Sequence, residues 1–202
     1  MWVVKFGGSL FNATNLKKWL SLLANNPSLV VVPGGGPFAD QVREAQARFD
    51  FGDQTAHQMA LLAMEQYGTM LCGLQPGFEP VASQKEIEAV RMKGITPVWM
   101  PTLMLAKELE VEQSWQVTSD SLAIWLAWKL GITRLVLVKS IGLKGRRMTT
   151  GKAENSDLVD DRFAQFLHRY GVDAWIVGKE EHTQFKQLIR TGSWPLPEQT
   201  YS

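Results

Sequence analysis

The residues best suited to chemistry lie in three short runs: Val3-Val4-Lys5-Phe6-Gly7-Gly8-Ser9, Pro33-Gly34-Gly35-Gly36-Pro37 and Thr118-Ser119-Asp120. In the first, a lysine interrupts an apolar run just before two glycines. In the second, three glycines end another apolar run. Glycine lets backbone amides face a ligand without interference from Cβ, and a helix starting just beyond adds the positive end of its dipole. Two such loops at one sheet edge would form a double nest for a polyphosphate, with Lys5 reaching phosphate oxygens as a point charge. Either glycine cluster alone also fits a plain tight turn; the pair, together with the lysine, favours phosphate. Neither run has the G-x-x-x-x-G-K-[ST] or G-x-G-x-x-G spacing of the common nucleotide loops. In the third run, Thr118, Ser119 and Asp120 are all of the types preferred at a helix N-cap. One cap suffices, so Asp120 is open to a second task, holding cationic lysines in place.

These runs need elements to position them, and the pattern of the chain supplies an alternation of strands and helices. Trp2 to Phe6, Leu29 to Val32, Pro80 to Ala82, Thr96 to Met100, Leu135 to Val138 and Ala174 to Val177 read as short strands. Helical spacing appears around Leu16 to Leu23, from Phe38 to Phe49, and from Thr55 to Leu71. It recurs from Gln84 to Met92, Thr102 to Leu109, Ser119 to Leu130, Asp160 to Tyr170 and His182 to Arg190. The alternation predicts an α/β sandwich with a mainly parallel central sheet, in which ligands bind at the carboxyl ends of the strands. Residues 139–157, rich in glycine, serine and basic residues, read as a functional loop within one domain spanning residues 1–202.

Composition narrows the function classes. The chain has 202 residues, 45% hydrophobic and 20% charged, with a formal net charge of +1. Such a balance gives no global field toward nucleic acid or an acidic membrane surface. The eight tryptophans are scattered instead of clustered with Lys and Arg as a nucleic-acid stacking surface would be. Cys72, the single cysteine, can form neither an internal disulfide nor a thiolate metal site, which fits a reducing cytoplasm. Neither a signal peptide nor an apolar run of about 18 residues is present, so a cytoplasmic protein without a membrane span is expected.

In this order, the K-x-G-G-S of Lys5 to Ser9, the triple glycine and the "TSDSLA" of Thr118 to Ala123 resemble the amino acid kinase family (acetylglutamate, aspartate, glutamate, carbamate, uridylate and isopentenyl phosphate kinases). "LVLVKSIGL", Leu135 to Leu143, is similar to that family's strand and V-D-G-V loop, and the tail resembles its last strand and helix. The resemblance implies a three-layer α/β/α fold with an eight-stranded, mostly parallel sheet. An N-terminal half of about 1–115 would hold the acceptor and a C-terminal half of about 116–202 the nucleotide. The implied substrates are ATP with Mg2+ and a small anionic acceptor, no side chain of the protein serves as a metal ligand, and the assembly is a homodimer or higher homo-oligomer. An acceptor that is already an anion needs no base, so catalysis is positioning plus neutralisation of charge.

By this resemblance Lys5 stabilises the transferring phosphoryl group, the Gly7, Gly8, Gly34 and Gly35 amides cradle it, and Asp120 organises the lysines. Ser9 binds phosphate or caps its helix. The loop departs from the family: it reads Ser140-Ile141-Gly142-Leu143, without the aspartate. Lys139 matches a lysine of uridylate kinases, and the second catalytic lysine is left among Lys139, Lys144 and Lys152.

Within the family, "VVPGGGPFADQVREAQARF", "TAHQMALLAMEQYG" and "SWQVTSDSLAIWLA" are most like the small branch that phosphorylates aminomethylfuranmethyl phosphate to the diphosphate in methanofuran synthesis. The acceptor side then comprises Gly34, Gly35, Gly36 and Ser119, with Asp40 facing the acceptor's ammonium and His57 beside it. Asp40 reads equally well as an exposed first-turn aspartate, and His57 as a hydrogen-bonded core residue. Met59, Met64 and Tyr67 read as dimer or core packing. The alternatives are a uridylate, isopentenyl phosphate or acetylglutamate type of kinase, or an ATP-binding regulator without turnover.

Overall fold

The computed structural model describes residues 1–106, 108, 110–140, 146–153 and 157–194. The strands are β1 (Trp2–Phe6), β2 (Leu29–Pro33), β3 (Phe78–Val81), β4 (Thr96–Trp99), β5 (Arg134–Lys139), β6 (Arg146–Met148) and β7 (Asp173–Gly178). The helices are α1 (Leu16–Leu23), α2 (Gly36–Phe49), α3 (Asp53–Leu74), α4 (Gln84–Met92), α5 (Thr102–Leu105), α6 (Ser119–Lys129), α7 (Thr150–Ala153), α8 (Phe163–Tyr170) and α9 (His182–Thr191). Among the described residues they build one seven-stranded sheet in the order β3-β4-β2-β1-β5-β7-β6, one strand fewer than the resemblance implies. Every pairing is parallel except that of β6 with β7.

β1, β2 and β4 are buried at every residue, because helices cover both faces of the sheet. Alternate residues therefore serve two cores. Val3, Val32, Leu135, Leu137 and Ile176 pack on one face with α6, α8 and α4. Val4, Phe6, Val31, Val136 and Trp175 pack on the other with Trp19 and Leu20 of α1 and with Phe185 and Leu188 of α9. From Ser119 to Ala127, α6 is buried at every position, as a helix apolar all round must be. Trp2, Trp19, Trp99 and Trp125 are almost wholly enclosed and Trp175 is buried as well, so five of the eight tryptophans are core residues. Truncating Trp125 to alanine would cost about 3–5 kcal/mol.

β1 lies between β2 and β5: strands β2 to β4 are laid down on one side of it and β5 to β7 on the other, so the strand order reverses beside β1. A crevice opens at the carboxyl ends of strands where the order reverses in this way. Both glycine loops and Lys139 sit there.

Three readings of the sequence are corrected. The stretch 139–157 is not loop throughout: β6 forms on β7 and α7 follows it, while residues 141–145 and 154–156 lie outside the described residues. The helix expected from Thr102 to Leu109 ends at Leu105, and Leu109 itself lies outside the described residues. The helix expected to begin at Asp160 begins at Phe163: Phe163 N–H closes a turn on Asp160 O at 3.1 Å, and the Arg162 amide before it donates outward to Gln116 O at 3.2 Å.

Candidate active site

The parallel register places the charges. Lys5 of β1 stands opposite Leu137 of β5. Side chains alternate along a strand, so Lys5, Leu137 and Lys139 share one face, and α6 covers that face. Asp120 lies in the first turn of α6, over the ends of both strands. Lys5 Nζ is 2.8 Å from Asp120 Oδ1, and Lys139 Nζ donates to Asp120 Oδ2 at 2.5 Å. Lys5 and Asp120 are both buried. Burial pushes the Asp120 carboxyl up, but Lys5 and Lys139 together outweigh this and hold it below the usual carboxylate range. Lys139 is brought down to about 8 by burial and by the neighbouring charge of Lys5, against the pull of Asp120. Two cations sharing one carboxylate leave a surplus of positive charge, which suits an incoming anion.

The glycines are needed first because the two loops touch each other. A Cβ on Gly8 would lie 2.2 Å from the amide nitrogen of Gly36, and one on Gly34 would lie 2.3 Å from that of Gly8. One on Gly7 would meet the Val138 carbonyl oxygen at 2.7 Å. Their amides are not equivalent. Gly7 N–H donates to Val138 O at 3.1 Å and Gly34 N–H to Phe6 O at 2.9 Å, extending the sheet by one rung. The expected cradle of Gly7, Gly8, Gly34 and Gly35 is corrected accordingly: Gly7 and Gly34 splice the loops to the strands. Gly8 and Gly36 open helical turns, whose first amides have no partner within the helix, and Gly35 is the N-cap of α2.

A cavity of about 380 Å³ opens over this floor, lined by Lys5, Gly8, Gly35, Asp120 and Lys139 among others. Its far wall comes from α2, α3 and the segment before α6. Asp40, His57, Met64 and Ser119 all line it, as do Arg43 and Trp115, which were not singled out in the sequence. Asp40 is not a first-turn residue, because α2 starts two residues earlier than its apolar spacing suggests; it pairs with Arg43 at 3.0 Å. The Arg43 guanidinium lies 4.3 Å over the Trp115 ring, and Trp115 Nε1 donates to Gln46 Oε1 at 2.6 Å. His57 is buried, and burial lowers its pKa against a hydrogen bond with the Ser114 backbone. Tyr67 packs in the core, whereas Met64 both packs there and lines the cavity.

Residues 1–142 match the profile of the amino acid kinase family. The chain belongs to that family. It is therefore a kinase. It is 28% identical over 192 residues to the [5-(aminomethyl)furan-3-yl]methyl phosphate kinase of Methanocaldococcus jannaschii, covering 88% of this chain and 87% of that protein. In fold it is similar to the uridylate kinase of Archaeoglobus fulgidus, with a TM-score of 0.68 at 14% identity over 95% of this chain and 96% of the other. The aspartate kinase of Synechocystis matches with a TM-score of 0.63 at 14% identity, over 88% of this chain and 37% of its own length. These two structures support the α/β/α fold with a mostly parallel sheet.

Set on this kinase fold, the remaining candidates divide. Ser9 lines the cavity and is exposed; Gly7, not Ser9, is the cap of its short 3-10 turn. Lys152 is exposed on α7 and is not part of the cavity lining, so the structure does not bring it to Asp120. Gly142 and Lys144 lie outside the described residues. Of the three lysines considered for the second position, Lys139 is the one the structure places against Asp120.

One residue of the site was not legible at all. Asp160, far beyond α6 in sequence, reaches the start of that helix in space and serves as its cap. Its Oδ2 accepts from Thr118 N at 2.8 Å, Thr118 Oγ1 at 2.8 Å and Ser121 N at 3.0 Å, and its Oδ1 accepts from Ser121 Oγ. Thr118, the N-cap by position, makes no side-chain cap of its own.

Proposed function

We propose that this kinase transfers the γ-phosphoryl group of ATP to a phosphate oxygen of a small monoester, aminomethylfuranmethyl phosphate, giving the diphosphate. The observation that carries the reading is the Lys5–Asp120–Lys139 array at the floor of the cavity, beneath the joined glycine loops. The kinase relative from Methanocaldococcus jannaschii bears a name specifying that acceptor type. Asp40 on the far wall supplies a carboxylate for its ammonium, and His57 and Trp115 supply flat neighbours for its ring.

A phosphate monoester is already largely ionised at neutral pH, so its oxygen attacks the γ-phosphorus without a base. The bond to the β-phosphate oxygen breaks as the new P–O bond forms, and ADP leaves with that oxygen's charge. Lys5 and the Gly8 amide stabilise the transferring group, Lys139 takes up charge on the nucleotide side, and Asp120 keeps the lysine heads apart and aimed. Ser9 and the amides of Gly35 and Gly36 complete the phosphate contacts. Residues up to about 115 hold the acceptor and those beyond it the nucleotide.

Mg2+ retains much of its water and is bound largely through substrate phosphates, which the Lys5–Asp120–Lys139 floor and the glycine loops would hold. When bound, it would neutralise charge on the ATP phosphates. The enzyme works in the cytoplasm as a homodimer, and among the described residues no helix is long and apolar enough to cross a membrane.

The test is ADP release from purified protein with Mg-ATP and a panel of aminomethylfuranmethyl phosphate, UMP, isopentenyl phosphate and acetylglutamate. Turnover is expected with the furan and is lost in Lys5→Ala with the fold retained. Turnover on UMP but not on the furan would overturn the acceptor assignment. ATP binding without turnover on any acceptor would overturn the reaction.

A further inference from the structure

We infer that Asp160 is a positioning residue for phosphoryl transfer: by gripping Thr118 and Ser121 it fixes the start of α6 and so sets Asp120 between Lys5 and Lys139. The inference deepens the reading given under Proposed function and rests on it.

The geometry is specific. A carboxylate normally caps the helix that follows it, yet Asp160 offers α8 only its carbonyl, which accepts from Phe163 N at 3.1 Å. Its side chain is spent on α6, where it takes four donors on two residues flanking Ser119 and Asp120. Burying a carboxylate is costly unless all its oxygens are paired, and here they are. Without it, the first amides of α6 would lose their cap, and the turn carrying Asp120 would be free to shift. Displacement of a reacting geometry by an ångström costs about a hundredfold in rate.

The same stretch also holds the opposite wall. Arg162 N–H donates to Gln116 O at 3.2 Å, and Arg162 Nε donates to Glu112 Oε2 at 2.7 Å. Gln116 follows Trp115, the ring on the acceptor side of the cavity. One short segment beyond α7 thus fastens both the phosphoryl side, through Asp160, and the acceptor wall, through Arg162.

Two measurements test this. Asp160→Ala should lower kcat about a hundredfold while leaving KM for ATP little changed, and Asp160→Asn, which keeps shape and an accepting oxygen, should restore most of the loss. The second needs no acceptor: the pH dependence of Lys139 labelling by an amine reagent, read by mass spectrometry. The charged groups facing Lys139 are Lys5 from β1, Asp120 from α6 and Asp160 itself. With Asp120 displaced and the charge of Asp160 gone, the labelling midpoint in Asp160→Ala should fall below the wild-type value. A kcat within twofold of wild type, a loss that Asp160→Asn does not rescue, or an unmoved Lys139 midpoint each overturns the inference. Wild-type turnover on another acceptor overturns only the furan assignment, and the kcat comparison is then made with that acceptor. If no acceptor is turned over, the labelling alone decides for or against Asp160.

Discussion

Gly8 and Gly36 approach so closely that a Cβ on Gly8 would fall 2.2 Å from the Gly36 amide nitrogen. Backbone cannot yield as a side chain does, so the two glycine loops are in effect one surface. Gly8→Ala should therefore part the loops, lower stability by about 1–3 kcal/mol and abolish turnover. Gly52, which has nothing within 4 Å of its added Cβ, provides the control: Gly52→Ala should leave turnover unchanged and cost at most the N-cap preference of α3, under about 1 kcal/mol. Thermal unfolding and ADP release measured on the two variants check this.

Asp120 is enclosed with two lysines, and removing the shared partner leaves both charges buried without compensation. Asp120→Ala should cost about 3–5 kcal/mol of stability and lose activity. Because an anion can take over part of the neutralisation, added ATP should raise the unfolding temperature of this variant more than that of the wild type. Denaturation with and without ATP measures the difference.

The titration of Lys139 sets opposite trends for stability and activity. Its pKa in the fold, about 8, lies below its ordinary value of 10.5. Below pH 8 the group is charged in both folded and unfolded chains, so the cost of burying that charge is constant there. As pH climbs from about 8 toward 10.5, the unfolded chain holds more protons and this cost is relieved. Activity goes the other way, falling as the cation is lost, so kcat/KM for ATP should drop above pH 8. In Lys139→Arg the guanidinium stays charged, and the alkaline limb should disappear. Asp120 acts at the acid end: its lowered pKa gives stability that is present above the ordinary carboxylate range and lost as pH falls through its folded value. A pH–rate profile and a pH series of melting curves separate the two.

Asp40 is a carboxylate of the outer wall, where it pairs with Arg43 at 3.0 Å. Asp40→Asn should raise KM for an aminated acceptor about tenfold, the order of one exposed charge-assisted contact, and leave KM for ATP unchanged. Steady-state kinetics with each substrate varied in turn would show it; an equal rise in both constants would mean that the residue acts on the whole cavity.

Much of this protein is written locally. Continuous apolar runs such as Leu29–Pro33 can be buried only in the middle of a covered sheet, and glycine clusters after such runs mark the carboxyl edge. Lys5, Asp120 and the two loops were legible because a charge beside an apolar run, or a surplus cap residue, is anomalous in its own neighbourhood. What the chain does at long range was not. The choice of Lys139 over Lys152 follows from strand register and the alternation of faces, which needs β1 and β5 already paired. The Gly7 and Gly34 amides are consumed by carbonyls of neighbouring strands, a fact invisible until those strands lie side by side. Asp160 reads as an ordinary helix start, and only the packing of its segment against α6 turns it into the cap of another helix. Residue type and spacing settle which groups are available; contacts between segments far apart in the chain decide which of them meet.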